Sequence, residues 1–94
     1  MKAISPLAIF FEGIRKDHRI SITHIGLFAV LLAYWQQHKF RNPIEAYSHE
    51  IMPLAKISAS TTYHKCLRDL HNYGYVRYEP SFKRNRRSRI FLYL

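Results

Sequence analysis

The chain has a single cysteine, Cys66, and this scarcity limits both its chemistry and its surroundings. One cysteine cannot form an intrachain disulfide, and a small domain that folds without disulfides is typical of a reducing compartment. We therefore expect a cytoplasmic protein. Long apolar runs are absent as well, because the longest one, residues 25–35, is too short to cross a bilayer. With no clear signal-peptide cleavage site either, we predict no membrane partner.

Acidic residues are also few. The sequence has six Asp and Glu against fifteen Lys and Arg, which gives a formal net charge of +9 and a pI of about 10.1. A basic excess of this size suits a polyanionic partner, with nucleic acid first and an anionic membrane second. Residues 56–94 hold nine of the cations and only two acids, so most of the excess lies in the last segment.

The residues that commonly build catalytic and metal sites are present but scattered. The six histidines include no pair at i, i+4, and the six acidic residues form no cluster. With three glycines in all, the chain has no glycine-rich phosphate loop. Cys66 falls on the apolar face of its predicted helix, which favours a core thiol over a nucleophile. We predict no catalytic residue, no metal site and no cofactor, and hence no enzyme.

What the sequence does have is enough apolar material for one core. Its 94 residues are 48% hydrophobic and 15% aromatic, which argues against a disordered chain despite the high charge. This length is near the lower edge of ordinary domain size. We therefore predict a single domain over residues 1–94.

The first predicted helix begins at Ser5 and Pro6, a favourable N-cap followed by a proline in the first turn. Apolar residues then recur at i, i+3, i+4 and i+7, namely Leu7, Phe10, Phe11 and Ile14. We expect this helix to end near Asp17.

A second helix follows, with Ser21 or Thr23 as its expected N-cap. Its body, residues 25–35, is apolar on nearly every side, so it requires burial on several sides. It is either the central helix of the domain or part of a homodimer interface through residues 5–39. The sequence leaves both interpretations open.

The middle of the chain predicts a short strand and a short helix. Asn42 and Pro43 mark a turn, and residues 44–47 alternate as a strand does. Ser48 is the expected N-cap of a helix over residues 49–56, with three apolar side chains facing inward: Ile51, Leu54 and Ala55. Pro53 predicts a distortion of this helix, because a proline past the first turn removes a backbone hydrogen bond.

A serine-rich break at residues 57–60 precedes the next helix, for which Ser60 or Thr61 is the expected cap. Its apolar positions follow helical spacing, namely Tyr63, Cys66, Leu67 and Leu70. Gly74 is predicted to end it in a left-handed conformation. Beyond this point the pattern alternates, with Val76, Tyr78, Ile90 and Leu92 on one face, which predicts a β-hairpin.

The order of these elements, and above all the span SHEIMPLAKISASTTYHKCLRDLHNYGYV, resembles the winged helix-turn-helix family. The segment is similar to small regulators, to plasmid or phage replication-initiator domains, to regulators of the multiple-antibiotic-resistance type, and to short helix-turn-helix proteins of bacterial mobile elements. The resemblance implies a mainly α fold with a small β-hairpin wing. It also implies double-stranded DNA binding by a transcription regulator or by a replication or mobilisation accessory protein.

On this resemblance, residues 60–73 form the recognition helix, because the major groove of B-DNA admits one helix. The candidate DNA-contacting residues on it are Ser60, Thr61, Thr62, His64, Lys65 and Arg68. Threonine methyl groups can touch thymine methyls, the imidazole can donate to a base or phosphate, and the two cations can bind guanine or phosphate.

The basic loop between the two last strands supplies the second half of the predicted interface. Residues 81–89 form the predicted wing, which the resemblance places on the minor groove or the backbone. Its candidate contacts are Lys83, Arg84, Asn85, Arg86, Arg87 and Arg89. The cations of this loop have no acidic residue among them, so they repel one another unless an anion approaches.

Two other functions remain compatible with the sequence. A winged helix could use its basic face on structured RNA or on a partner protein. The chain could instead be an anionic-membrane or assembly protein that uses its aromatic first helix for binding. Competition between DNA and RNA distinguishes DNA binding from RNA binding, because the deep and narrow major groove of A-form RNA excludes a helix.

Overall fold

Four helices and three strands make up the part of the chain that the computed structural model describes, residues 6–80 and 88–92. The helices are α1 (Pro6–Ile14), α2 (Ile22–Gln37), α3 (Ser48–Ile51) and α4 (Ser60–Asn72). The strands are β1 (Ile44–Ala46), β2 (Val76–Glu79) and β3 (Ser88–Leu92). Together they form a small α/β domain. None of these helices has the length and apolar character needed to span a membrane.

The strands form one antiparallel sheet in the order β1-β3-β2. Val76 pairs with Leu92 and Tyr78 with Ile90, so the predicted hairpin is confirmed, and its apolar residues share one buried face. The predicted short strand is confirmed too, and Ile44 pairs with Ile90 on the other side of β3. Asn42 fixes this end of the sheet, because its side-chain amide donates to the carbonyl of Leu92 and accepts from its N–H.

The first helix is shorter than expected. It ends at Ile14 rather than near Asp17, because the Asp17 carboxylate accepts the backbone N–H of Arg19 and so holds a turn at this point. The second helix has Ser21 as its N-cap, one of the two predicted candidates. Between residues 23 and 32 no side chain of α2 is exposed, so this helix is central to the domain.

The prediction for the third helix was wrong in its length and cap. This helix covers only Ser48–Ile51, and Tyr47 rather than Ser48 is its N-cap. Pro53 has no N–H to continue the hydrogen-bond ladder, and the chain leaves the helix through turns up to Lys56. Leu54 is therefore 61% exposed rather than inward-facing, whereas Ile51 is buried as predicted.

The fourth helix begins at Ser60 with Ala59 as its N-cap, so neither Ser60 nor Thr61 is the cap. Its predicted apolar face is confirmed, since Tyr63, Cys66, Leu67 and Leu70 are buried. Gly74 has a φ of 89°, which confirms the left-handed end. Leu27 and Leu31 of α2 join these side chains and the inner face of the sheet in one core, and Phe10 of α1 stacks on Phe28 at 3.9 Å between ring centroids.

Candidate nucleic-acid interface

The outward side of α4 carries a polar and basic surface beside the buried one. It is lined by Ser60, Thr61, His64, Lys65, Arg68, Asp69 and Asn72, which we name the α4 surface. Five of the six recognition-helix candidates lie on it together, and the sixth, Thr62, is exposed but lies outside it. The arrangement follows from helical spacing, because residues three and four apart share a face.

His64 is oriented by its own helix. Its Nδ1 lies 2.8 Å from the carbonyl oxygen of Ser60, so Nδ1–H donates to that oxygen. In the neutral ring the remaining atom, Nε2, is then an acceptor. It can accept from an exocyclic amine on a base edge, and it can donate to a phosphate only when the imidazole is protonated.

Asp69 is the acidic member of the α4 surface, and sequence reasoning did not select it. Its Oδ2 lies 2.9 Å from Nε2 of His24 and 3.8 Å from Nζ of Lys65. The side chain is 19% exposed. The i, i+4 spacing to Lys65 is visible in the sequence, but the partner on α2 is 45 residues away and gives no local signal.

His24 is the polar partner buried beneath this surface, with only 5% of the residue exposed. The backbone N–H of Ser21 donates to its Nδ1 at 2.9 Å, as part of the cap of α2. A backbone N–H can only donate, so Nδ1 accepts and the ring proton of the neutral form lies on Nε2. Nε2–H therefore donates to Asp69, and this bond joins the start of α2 to the middle of α4.

The turn before α2 is tied to the C-terminal end of α4. The Arg19 guanidinium donates to both oxygens of Asp17, and the Tyr75 hydroxyl donates to Oδ2 at 2.7 Å. These hydrogen bonds, that of Arg19 foremost, hold the pKa of Asp17 well below its usual range. Burial and the bond to Asp17 raise the pKa of Tyr75 to about 12. Arg19 also lies 3.9 Å over the ring of Tyr73, the C-cap of α4.

Arg89, the predicted wing contact that falls within the described residues, lies on the outer face of the sheet. Its guanidinium is 3.7 Å from Glu79 and 3.9 Å from Glu45, and its side chain is 57% exposed. Arg77 adds a further ion pair to Glu79 at 2.7 Å. The other predicted wing contacts fall outside the described residues, namely Lys83, Arg84, Asn85, Arg86 and Arg87.

Cys66 lies on the buried face of α4, as predicted. Burial raises the pKa of its thiol, and the negative charge of Asp69 adds to this effect. The thiolate needed for nucleophilic or redox chemistry is therefore disfavoured. Within residues 6–80 and 88–92, no three His, Cys, Asp or Glu side chains come together in a way that could hold a metal ion.

No protein-family model, curated protein or solved structure matches this chain. The four helices and the three-stranded antiparallel sheet are compatible with a winged helix without being specific to it. A functional proposal must therefore account for the chemistry of the α4 surface itself, which combines two cations and several hydrogen-bonding groups on the exposed side of a well-packed helix.

Proposed function

We propose that this chain is a winged helix-turn-helix protein that binds double-stranded DNA with α4 in the major groove. The element order supports the proposal, because a short helix and a turn lead into α4, and a hairpin follows directly. The sheet order β1-β3-β2 supports it as well, since the hairpin is anchored to the domain by a third strand on one side.

The observation that carries the proposal is the division of α4 into two faces. Leu67 and Leu70 are fully buried, which fixes the helix on the domain, while the opposite side presents the α4 surface to solvent. A major groove about 12 Å wide accommodates such a helix. Lys65 and Arg68 would bind guanine O6 and N7 or phosphates, and the Thr61 methyl group would touch a thymine methyl.

The wing, residues 81–89, would contact the minor groove or the backbone beside α4. Pro80 and Ser88 are the described residues on either side of its basic segment, which has four cations and no acid over residues 83–87. The ion pairs of Arg89 with Glu45 and Glu79 do not oppose this role. Pairs this exposed contribute little, so the guanidinium can exchange a carboxylate for a phosphate.

Within this proposal the chain acts by occupying its site on the duplex. We propose a cytoplasmic transcription regulator or a replication or mobilisation accessory protein. A homodimer through residues 5–39 belongs to the same proposal, supported by exposed apolar side chains in that range, namely Ile9, Phe11 and Ile22. A two-fold dimer would place two recognition helices in successive major grooves about 34 Å apart.

The proposal is tested by fluorescence anisotropy with a random 24-base-pair duplex over a series of salt concentrations. R68A should weaken binding by about tenfold and lower the salt slope by about 0.9, the contribution of one lost phosphate contact. R41A is the matched control, because it removes the same charge from the exposed turn at the Leu92 end of the sheet, away from Glu79 and Ser88. Equal losses in the two variants would leave only non-specific charge attraction and would refute the α4 interface.

A further inference from the structure

A second proton on His24 has a defined place to bind. It would lie on Nδ1, where the Ser21 hydroxyl oxygen, 2.7 Å away, can accept it. The Ser21 N–H would lose its acceptor in return, so protonation rearranges the cap of α2 without burying an unpaired imidazolium N–H. On the other side of the ring the imidazolium would face the Asp69 carboxylate at 2.9 Å.

Other ionisable groups lie close to the His24–Asp69 pair. Lys65 shares the Asp69 oxygen at 3.8 Å, and Arg19 lies over the Tyr73 ring, whose centroid is 6.4 Å from that of His24. The Cys66 thiol on the same helix as Asp69 is buried, and burial raises its pKa. Asp69 is both in contact with His24 and part of the α4 surface.

We propose that His24 and Asp69 couple the uptake of one proton to the binding of duplex DNA. This inference rests on the proposed function. When His24 is neutral, Asp69 presents a negative charge where phosphates would approach Lys65 and Arg68, and that charge weakens binding. When His24 is protonated, its charge cancels that of Asp69. Duplex affinity should therefore be higher at pH 5.5 than at pH 8.0.

The test compares duplex affinity at pH 8.0 and pH 5.5, at constant ionic strength, for the parent chain and D69N. The neutral amide removes the charge at every pH, so D69N should bind about three- to tenfold tighter than the parent at pH 8.0. At pH 5.5 the ratio of the D69N affinity to the parent affinity should be smaller than at pH 8.0. The other five histidines are the same in both proteins, so the ratio of the two affinities isolates the pair.

A second variant separates the charge effect from a change in structure. H24Q keeps the Asp69 charge at every pH, so it should match the parent at pH 8.0 and bind more weakly than the parent at pH 5.5. E12Q removes a 74% exposed carboxylate from α1 and should give an affinity ratio that does not change with pH. Far-ultraviolet circular dichroism at both pH values verifies that each variant is folded.

The outcomes distinguish the inference from the function on which it rests. A D69N-to-parent ratio that stays constant with pH, in a chain that binds duplex DNA, overturns the proton coupling alone. An H24Q profile that follows the parent at both pH values also overturns it. Absence of duplex binding by the parent at either pH overturns the proposed function and the coupling together.

Discussion

Gly74 controls how α4 passes into the hairpin, and its substitution gives a sharp test of the backbone at that point. Two hydrogen bonds close the helix end, from the N–H of Tyr75 to the carbonyl of Leu70 at 2.9 Å and from the N–H of Gly74 to that of His71 at 3.1 Å. This is the Schellman pattern, in which the residue after the C-cap is left-handed. The φ of 89° at Gly74 meets that requirement.

The size of the stability change in G74A follows from what a Cβ at position 74 would contact. Apart from its two chain neighbours, no atom of residues 6–80 and 88–92 lies within 4 Å of it, so G74A introduces no clash with them and its effect is conformational. A left-handed alanine costs about 1–2 kcal/mol, partly offset by the reduced entropy of the unfolded chain. We expect G74A to lower the free energy of unfolding by about 1 kcal/mol and Tm by about 4–8 °C.

Gly13 supplies the matched control within the same chain. It lies in α1, where its φ is not positive, and a Cβ would be 3.5 Å from the Tyr75 ring, an ordinary contact. G13A should therefore raise the free energy of unfolding by about 0.5 kcal/mol. Urea unfolding of both variants, with unchanged m-values, measures the two effects. A G74A protein as stable as the parent would refute the left-handed turn and with it the described start of the hairpin.

Three further predictions concern acid sensitivity, packing and the wing. Because the pKa of Asp17 is lowered by folding, its stabilisation is complete above about pH 4 and is lost as the pH falls through the folded-state value. Thermal melts should thus show D17N less stable than the parent at pH 7, by a gap that narrows towards pH 2.5; a constant gap would contradict the assignment. I51A should lower the free energy of unfolding by about 2–4 kcal/mol, whereas L54A should change it by less than about 0.5, and equal effects in urea titrations would contradict the early end of α3. The wing variant combines R84A, R86A and R87A. It should bind all duplexes more weakly than the parent by a similar factor, with a salt slope reduced by about 0.9 per lost contact. Anisotropy titrations with random DNA that match those of the parent would remove the wing from the interface.

Local patterns in the sequence were sufficient to predict most of the helices and strands. Helical spacing of apolar residues identified the buried face of α4, and alternation identified both strands of the hairpin, because each pattern follows directly from backbone geometry. Gly74 was recognisable for the same reason, as the residue type that best tolerates a positive φ. Five of the six predicted site residues on α4 came together because they share one helix face, and Thr62 lies outside it.

What the sequence did not predict depends on contacts between distant segments. The His24–Asp69 hydrogen bond joins residues 45 apart in the sequence, and the Tyr75–Asp17 hydrogen bond joins residues 58 apart, so no local pattern indicates either pair. The boundaries of α3 and α4 were missed by a few residues for another reason. Pro53 lacks an N–H, and α3 ends several residues before its predicted boundary. At the start of α4 several neighbouring residues are possible caps, and local composition does not decide among them.

Competition between nucleic acids tests the central claim most directly. A labelled random DNA duplex is titrated with the parent chain over a salt series, and unlabelled DNA or RNA duplexes of equal length compete for it. If Lys65, Arg68 and the four cations of residues 83–87 contact phosphates, the slope of log affinity against log salt should be about −5, with DNA competing much better than RNA. Absence of binding, or equal competition by RNA, would contradict a recognition helix in the major groove.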